Sequence, residues 1–427
     1  MDKTLVKKLL VDNRTGIINK VEKLFFLPGS IPLKAYRAQG NFVIREEDNF
    51  KTIKRNTYNG LGFSVFSDEK AEISALGEFV ERYCSTFVTQ EILEKCISEE
   101  FGNKLDLTQV TTVSEELAKK YNIKKLTIDQ DTSFYWVQGM DLHTNESIWI
   151  PTDLVYLTTY IKNESPIRDM VSTGTATGNS INDAIIRGLL ECIERDAITI
   201  MWLNKLSMPI VDNNTINDKE ISEVIKRIED QGLKVTILDI SNNINIPSFF
   251  TVIESNTSPY ISTGASTKFN RTEALMSSIE EAIAIYNLSL LKITNNTIDN
   301  FDPTDIKNLN DMDKHSDYYA INDMRSKISF LFAGKKIKWQ EDDSNYIHNY
   351  EQLITELKKL NIDVYAVDLT TKDIEKTNLY VVKTIVPKFA FLECSIPMDQ
   401  CNRLKEVPSE LGYDVNDELN DLIHPFP

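Results

Sequence analysis

A mixed α/β fold is what the sequence predicts, and three observations predict it. Apolar residues recur at helical three-and-four spacing in Ser74–Arg82, Ser180–Trp202 and Arg271–Tyr286. Short β-rich runs occur at Thr132–Ile150, Lys234–Asp239, Phe249–Glu254, Asp363–Asp368 and Tyr380–Val386. The two kinds of segment interleave along the chain, with no Pro/Gly/Ser linker and no repeat of fixed period.

In chain order, residues 1–58 read as a short helical opening followed by strand-like pieces such as Asn41–Arg45. Gly60-Leu61-Gly62 is expected to turn the chain into the first long helix, whose buried stripe is Ala75, Leu76, Phe79, Val80 and Tyr83. Residues 87–125 read as mostly helical and charged. Tyr135, Val137, Ile148 and Ile150 then alternate, predicting paired strands with a turn near Asn145. The small-residue stretch Ser172–Asn179 is expected to be a turn entering the central helix, with Asn179 or Ser180 as its cap. Glu220–Gln231 reads as a helix feeding the strand at Lys234–Asp239, and Tyr260–Ser266 leads into the third helix. The polar stretch Asp299–Asp343 is expected to be irregular, and Glu351–Leu360 returns to helix.

The central helix carries Ile185, Ile186, Leu189, Leu190, Ile193 and Ala197 on one face and Arg187, Glu191, Glu194 and Arg195 on the other. A single such stripe reads first as a solvated salt-bridge face. The pattern returns, however, in S-A-L-G-E-F-V-E-R, where Ser74, Glu78 and Glu81 share a face with Arg82 beside Glu78. The third helix adds Glu273, Ser277, Glu280 and Glu281. Three helices presenting carboxylates beside small polar groups point to one site.

Composition bounds what that site can serve. A chain of 427 residues with 41% hydrophobic content can bury a large core. The net charge of −17 argues against non-specific nucleic-acid binding, which needs basic surface to displace counterions. Five cysteines lack C-x-x-C spacing and read as free thiols, and four scattered histidines make no zinc signature. The N-terminus lacks an apolar signal region and no run approaches the roughly 18 apolar residues of a membrane span, so a cytoplasmic location is expected.

Crowded carboxylates repel and take up protons unless a cation neutralises them. Hard oxygen ligands suit Mg²⁺, which keeps water and takes phosphate oxygens, while an arginine beside each carboxylate can meet phosphate. No G-x-x-x-x-G-K-[S/T], G-x-G-x-x-G or H-R-D occurs, so a nucleotide would be bound without a phosphate loop.

These motifs resemble the YcaO-domain family. Ser74, Glu78, Glu81 and Arg82 match its S-x-x-x-E-x-x-E-R helix. Gly174–Asn179 and Glu191–Asp196 match its G-x-A-x-G-N turn and second E-x-x-E-R-D helix. Gly264, Ala265 and Glu281 match the third. Asp363–Thr370, Val386-Pro387, Asn402-Arg403-Leu404, Val407-Pro408 and Leu411-Gly412 follow in the family's order. Leu61, Ser277 and Ala284 stand where the family often has lysine, arginine and glutamine.

The resemblance implies a YcaO-like α/β domain over residues 60–427, preceded by a segment at 1–59, with its carboxylate helices around an ATP site. It implies ATP and Mg²⁺ as cofactors, Glu78, Glu81, Glu191, Glu194 and Glu281 as metal ligands, and Ser74, Arg82, Asn179 and Arg195 as nucleotide contacts. The terminal His424-Pro425-Phe426-Pro427 resembles the proline-rich tail of azoline-forming members, the D-proteins of thiazole/oxazole-modified peptide biosynthesis of the streptolysin S type. The implied activity is an ATP-dependent peptide cyclodehydratase: a Cys, Ser or Thr side chain attacks the preceding amide, the amide oxygen is phosphorylated, and phosphate leaves. The Pro427 carboxylate is the candidate for proton handling. Two rivals stand beside it, a thioamide- or amidine-forming sibling and a docking scaffold without turnover. The expected partners are a ribosomal precursor peptide, a separate leader-binding protein of the ThiF-like type, since residues 1–59 are too few for a fused one, and a flavin-dependent dehydrogenase. A homodimer or hetero-complex is expected, and no nucleic acid.

Overall fold

The computed structural model describes residues 1–40, 58–86, 102–122, 135–157, 167–168, 170–303, 312–340, 346–392, 396–415 and 418–426. Helix α1 (Lys3–Leu10) is opened by the Asp2 carboxylate, which accepts from the Leu5 N–H. Strands β1 (Lys20–Leu24), β2 (Lys34–Gly40) and β3 (Tyr58–Ser64) precede α2 (Asp68–Thr86), α3 (Glu115–Lys120), β4 (Trp136–Asp141) and β5 (Ser147–Pro151). Strand β6 (Thr175–Gly178) enters α4 (Ile181–Leu203), then come β7 (Ile210–Val211), α5 (Lys219–Glu229), β8 (Lys234–Asp239), β9 (Ser248–Glu254) and β10 (Ile261–Thr267). The chain ends with α6 (Arg271–Thr294), α7 (Met312–Ile321), β11 (Lys336–Ile337), α8 (Tyr350–Lys359), β12 (Tyr365–Asp368), α9 (Lys372–Glu375), β13 (Tyr380–Ile385) and α10 (Arg403–Glu410).

Contacts divide the chain into two units. The first holds Met1–Leu24, Lys34–Cys192 and Leu357–Lys388; the second holds Phe25–Leu33, Ile193–Glu356 and Phe389–Pro427. In the first, β1-β2-β3 form an antiparallel sheet and a second sheet runs β5-β4-β12-β13-β6. Its core joins Leu76, Phe79 and Val80 of α2 to Val381 and Ile385 of β13. In the second unit the sheet order is β10-β9-β8-β7-β11, and the core gathers Met201, Trp202, Phe250, Tyr319 and Phe426. Every residue of β9 and β10 is buried, which is why these strands read as continuous runs without alternation.

The mixed α/β fold class is observed, and β4 and β5 pair as expected, with Asn145 at φ 60° in the turn. Three expectations are corrected. Gly60-Leu61-Gly62 is no turn: it lies inside β3, paired with Tyr36, Arg37 and Ala38 of β2. Within Ser172–Asn179, Thr175–Gly178 is the strand β6, paired with β13. The stretch read as irregular contains α7 and β11. Helix α7 has only a weak apolar period in the sequence because the polar His315, Ser316 and Asp317 are buried along with Tyr319 and Ala320; Asp317 is paired with Lys292 at 2.9 Å.

Where residues 87–125 are described, they hold one short 3₁₀ turn, Leu107–Gln109, and the six-residue α3, so that part is less helical than expected. Asn41–Arg45 lies outside the described residues. Helix α6 is long and apolar enough by composition to cross a membrane, but it is a core helix here, packed on β9 and β10 with 61% of its apolar window buried. Cys84, Cys192 and Cys401 are buried free thiols, while Cys96 and Cys394 lie outside the described residues.

Candidate active site

Two of the carboxylate helices, α2 and α6, lie unusually close to strands β3 and β10. A Cβ at Gly60 or Gly62 of β3 would meet the α2 backbone at 2.2 Å (Ala75 O) or 2.0 Å (Ala71 O). A Cβ at Gly264 of β10 would meet Ala282 N of α6 at 2.3 Å. Bare glycine backbone lets each helix lie against its strand, so a helical carboxylate reaches a strand N–H.

In the first unit the Leu61 N–H donates to Glu78 Oε2 at 2.6 Å, and the Thr177 N–H donates to Glu81 Oε1 at 2.8 Å. The Gly174 N–H donates to Glu191 Oε2 at 3.0 Å. In the second unit the Thr267 N–H donates to Glu194 Oε2 at 2.8 Å and the Ala265 N–H to Glu281 Oε2 at 2.6 Å. All five carboxylates singled out in the sequence are therefore oriented alike, by a backbone donor on a strand or its entry turn. Leu61 and Ala265, flanked by or following the clamp glycines, act through their N–H groups, a role any side chain would leave intact.

Electrostatics distinguish Glu81. Burial pushes its pKa up to about 8, and the nearby Glu191 and Glu78 charges push the same way, against the Thr177 N–H and Arg82. A cation beside it would offset both the burial and the repulsion. Among the described residues, no group of three or more His, Cys, Asp or Glu side chains converges enough to hold a metal by protein atoms alone. Mg²⁺ asks for less than that, commonly one or two carboxylates with water and phosphate oxygens completing its shell, so this donor set fits it.

The arginines differ. Arg82 bridges Glu78 at 2.6 Å and donates to Asn59 O at 2.9 Å. Arg195 lies over the Phe426 ring at 5.9 Å and meets Met312 Sδ at 3.8 Å. Ser74 is solvent-exposed on α2. Asn179 is exposed, and its N–H donates to Asp183 at 2.9 Å, while Ser180 Oγ caps α4 by accepting from the Asp183 N–H at 3.1 Å. Of the two candidate caps, Ser180 does the capping.

One role was not legible in the sequence. Asp196, the last residue of E-x-x-E-R-D, is fully buried and takes Arg403 Nε at 2.9 Å, Arg403 Nη2 at 2.6 Å, Asn242 Nδ2 at 2.9 Å and the Ala390 N–H at 2.9 Å. With its lone pairs so occupied, it is an anchor for the Asn402-Arg403-Leu404 segment and no metal ligand. The C-terminal segment is also built in: Leu422 O accepts from Trp202 Nε1 at 2.9 Å, Ile423 O from the Tyr319 hydroxyl at 2.7 Å, and Pro425 O from Thr263 Oγ1 at 2.8 Å. Phe426 is buried and His424 packs edge-on to His315 at 4.5 Å; Pro427 lies outside the described residues.

Helical carboxylates clamped to strand backbone, with arginines beside them, suit a class of metal–nucleotide protein without a phosphate loop. The family model described as YcaO cyclodehydratase, ATP- and Mg²⁺-binding, matches residues 64–390, and the chain belongs to the YcaO family. ATP and Mg²⁺ are the cofactors of that family.

An uncharacterized protein in the tfuA 3′ region of Rhizobium leguminosarum bv. trifolii is 30% identical over 158 residues, 35% of this chain and 37% of that relative. The fold is similar to that of a heterocyclase solved in complex with substrate and cofactor, with a TM-score of 0.75 at 20% identity over 99% of this chain and 57% of that one. It is also similar to a chain of the E. coli microcin synthetase McbBCD complex with pro-MccB17 bound, with a TM-score of 0.64 at 16% identity over 98% of this chain and 99% of that one. The match thus spans little more than a third of the curated relative and just over half of the heterocyclase.

Proposed function

We propose that the chain is an ATP-dependent cyclodehydratase, converting Cys, Ser or Thr of a ribosomal precursor peptide to thiazoline or oxazoline, with residues 60–427 as its catalytic region. The observation that carries this reading is the set of five clamped carboxylates in a YcaO-family chain. Bound ATP with Mg²⁺ would supply the phosphoryl group that makes the amide oxygen a leaving group. Glu78, Glu81 and Glu191 in the first unit, and Glu194 and Glu281 in the second, are the proposed Mg²⁺ ligands.

Each of these carboxylates accepts from a backbone N–H of a strand or its entry turn, which fixes its direction. Arg82 now neutralises Glu78, and it exchanges that partner for phosphate once a cation takes over the carboxylate. Arg195 serves the same end. Ser74 and Asn179, both exposed, are the proposed nucleotide contacts, and the Pro427 carboxylate the proton-handling group. The buried start of the tail up to Phe426 supports that role, because an ordered approach lowers the entropy cost of placing a terminal carboxylate.

The substrate reading is supported by the complexes in which the structural neighbours were solved, one with substrate and cofactor and one with pro-MccB17. A separate leader-binding protein and a flavin-dependent dehydrogenase are the proposed partners, within a homodimer or hetero-complex. A cytoplasmic location agrees with the buried free thiols. The test mixes purified protein, ATP, Mg²⁺ and precursor, with and without the leader-binding partner, and weighs the products. Loss of one water per modified residue is expected, dependent on the partner. A sulfur-for-oxygen mass change would make the chain a thioamide-forming sibling, and ATP consumption by no combination would leave the scaffold reading.

A further inference from the structure

Strand β13 points Val381, Lys383 and Ile385 to one side, and Val381 and Ile385 belong to the core of the first unit. Lys383 between them is 4% exposed. An ammonium in such a place loses its hydration, so a lysine there needs an acceptor that justifies it. Its Nζ donates to the carbonyl of Val171 at 2.8 Å. The next residue of the strand, Thr384, donates its N–H to the carbonyl of Gly174 at 2.7 Å. Consecutive residues of β13 therefore grip both ends of the turn Val171–Gly174. That turn is tight: the Thr175 N–H closes it on Ser172 O at 2.7 Å, and Gly174 has φ 83°. A Cβ on Gly174 would meet Thr384 O at 2.2 Å, and one on Gly188 of α4 would meet Gly174 O at 2.4 Å. The product of this packing is one hydrogen bond, from the Gly174 N–H to Glu191.

We propose that Lys383 is a positioning residue for Glu191: its buried ammonium fixes the Val171–Gly174 turn, so that the Gly174 N–H aims the Glu191 carboxylate at the divalent cation. This rests on the reading of Glu191 as a Mg²⁺ ligand. The chain of dependence runs from the Nζ–Val171 bond to the turn, from the turn to the Gly174 N–H, and from there to the carboxylate. Lys383 touches neither nucleotide nor metal in this scheme. Its loss should weaken the metal response without removing any ligand.

The experiment measures binding of a non-hydrolysable ATP analogue by calorimetry across a Mg²⁺ series, together with Tm, for wild type, Lys383→Met, Lys383→Arg, Glu191→Gln and the double variant Lys383→Met/Glu191→Gln. Lys383→Met should raise the Mg²⁺ concentration for half-maximal analogue binding about tenfold, in the range found when groups supporting a metal ligand are removed. Lys383→Arg, which keeps a charged donor, should recover most of it. In the Glu191→Gln background Lys383→Met should shift it no further, because the carboxylate it aims is gone. An unchanged Mg²⁺ response in a folded Lys383→Met overturns the proposal, as does an equal shift in the two backgrounds. If neither Lys383 variant folds while Glu191→Gln does, the lysine is structural only and the proposal falls. If Glu191→Gln itself binds the Mg²⁺ analogue normally, the fault lies with the ligand assignment beneath it.

Discussion

The two units hold their carboxylates by the same device but load them differently. In the first, Glu78 of α2 accepts from β3 across a glycine pair, and Glu81 one turn on accepts from β6. In the second, Glu281 of α6 accepts from β10 beside Gly264, but the residue three further on is Ala284, fully buried. The helix–strand clamp is thus the common architecture, and the residue at the next turn is a carboxylate in the first unit and an alanine in the second. In the first unit burial raises Glu81 to about 8, and the Glu191 and Glu78 charges push the same way. A clamp orients; a crowd of clamped carboxylates asks for a cation.

The largest expected effect comes from removing charge where it is crowded. Glu191→Gln keeps the shape and the Gly174 contact, so the fold should survive with Tm within a few degrees. ATP hydrolysis should fall on the order of 100-fold or more, as when a preorganised charge-stabilising group is lost. Hydrolysis at the wild-type rate would end the assignment of that helix.

That contrast was only half visible beforehand. Carboxylates at three-and-four spacing announce themselves, so α2, α4 and α6 and their Glu residues were legible from Ser74–Arg82, Ser180–Trp202 and Arg271–Tyr286. The clamps were not, because a strand N–H leaves no mark on its own side chain; only the glycines at 60, 62, 174 and 264 signal the close approach, and Gly60-Leu61-Gly62 was misread as a turn. Asp196 looked like one more acidic group of the motif, yet its partner Arg403 lies 207 residues away. Helix α7 gives little apolar period because polar His315, Ser316 and Asp317 are buried along with Tyr319 and Ala320.

Asp196 gives the next test, since it separates anchor from ligand on one helix. Asp196→Asn leaves the Arg403 guanidinium buried without its counter-charge. Breaking one side of a buried pair should cost about 3–5 kcal/mol, seen as a lower midpoint in urea unfolding. Among molecules still folded, the Mg²⁺ dependence of ATP-analogue binding should stay as in wild type. A selective loss of Mg²⁺ response at unchanged stability would turn Asp196 from anchor to ligand.

The burial of Glu81 among other carboxylates also predicts a pH dependence. Glu81 binds its proton more tightly folded than unfolded, because its folded pKa is about 8 against an ordinary 4.5. Between those values the folded state holds the extra proton, so its contribution to stability is full below about 4.5 and drains away as pH rises towards 8. Metal-free protein should therefore lose more Tm between pH 5 and pH 8 than Glu81→Gln does, and saturating Mg²⁺ should remove the difference. Identical pH profiles for the two proteins would show that the crowd is not felt.

The smallest effect on stability should come from Arg82, and the reason sharpens the comparison with Arg403. Both arginines pair with an acidic residue at 2.6 Å, Arg82 with Glu78 and Arg403 with Asp196. Arg403 is buried with its partner, whereas the Arg82 side chain is 44% exposed and Glu78 30%. Water screens the exposed pair and competes for both charges, so Arg82→Ala should cost about 1 kcal/mol or less. Its effect on nucleotide should be larger than that figure suggests, because phosphate presents more charge than one carboxylate and arginine meets it with two donors. A KM for ATP raised about tenfold at nearly unchanged Tm is the expected result, measured by ATP hydrolysis and thermal unfolding on the same preparation. A stability loss as great as that of Asp196→Asn, with KM unmoved, would make Arg82 a structural brace and leave phosphate neutralisation to Arg195.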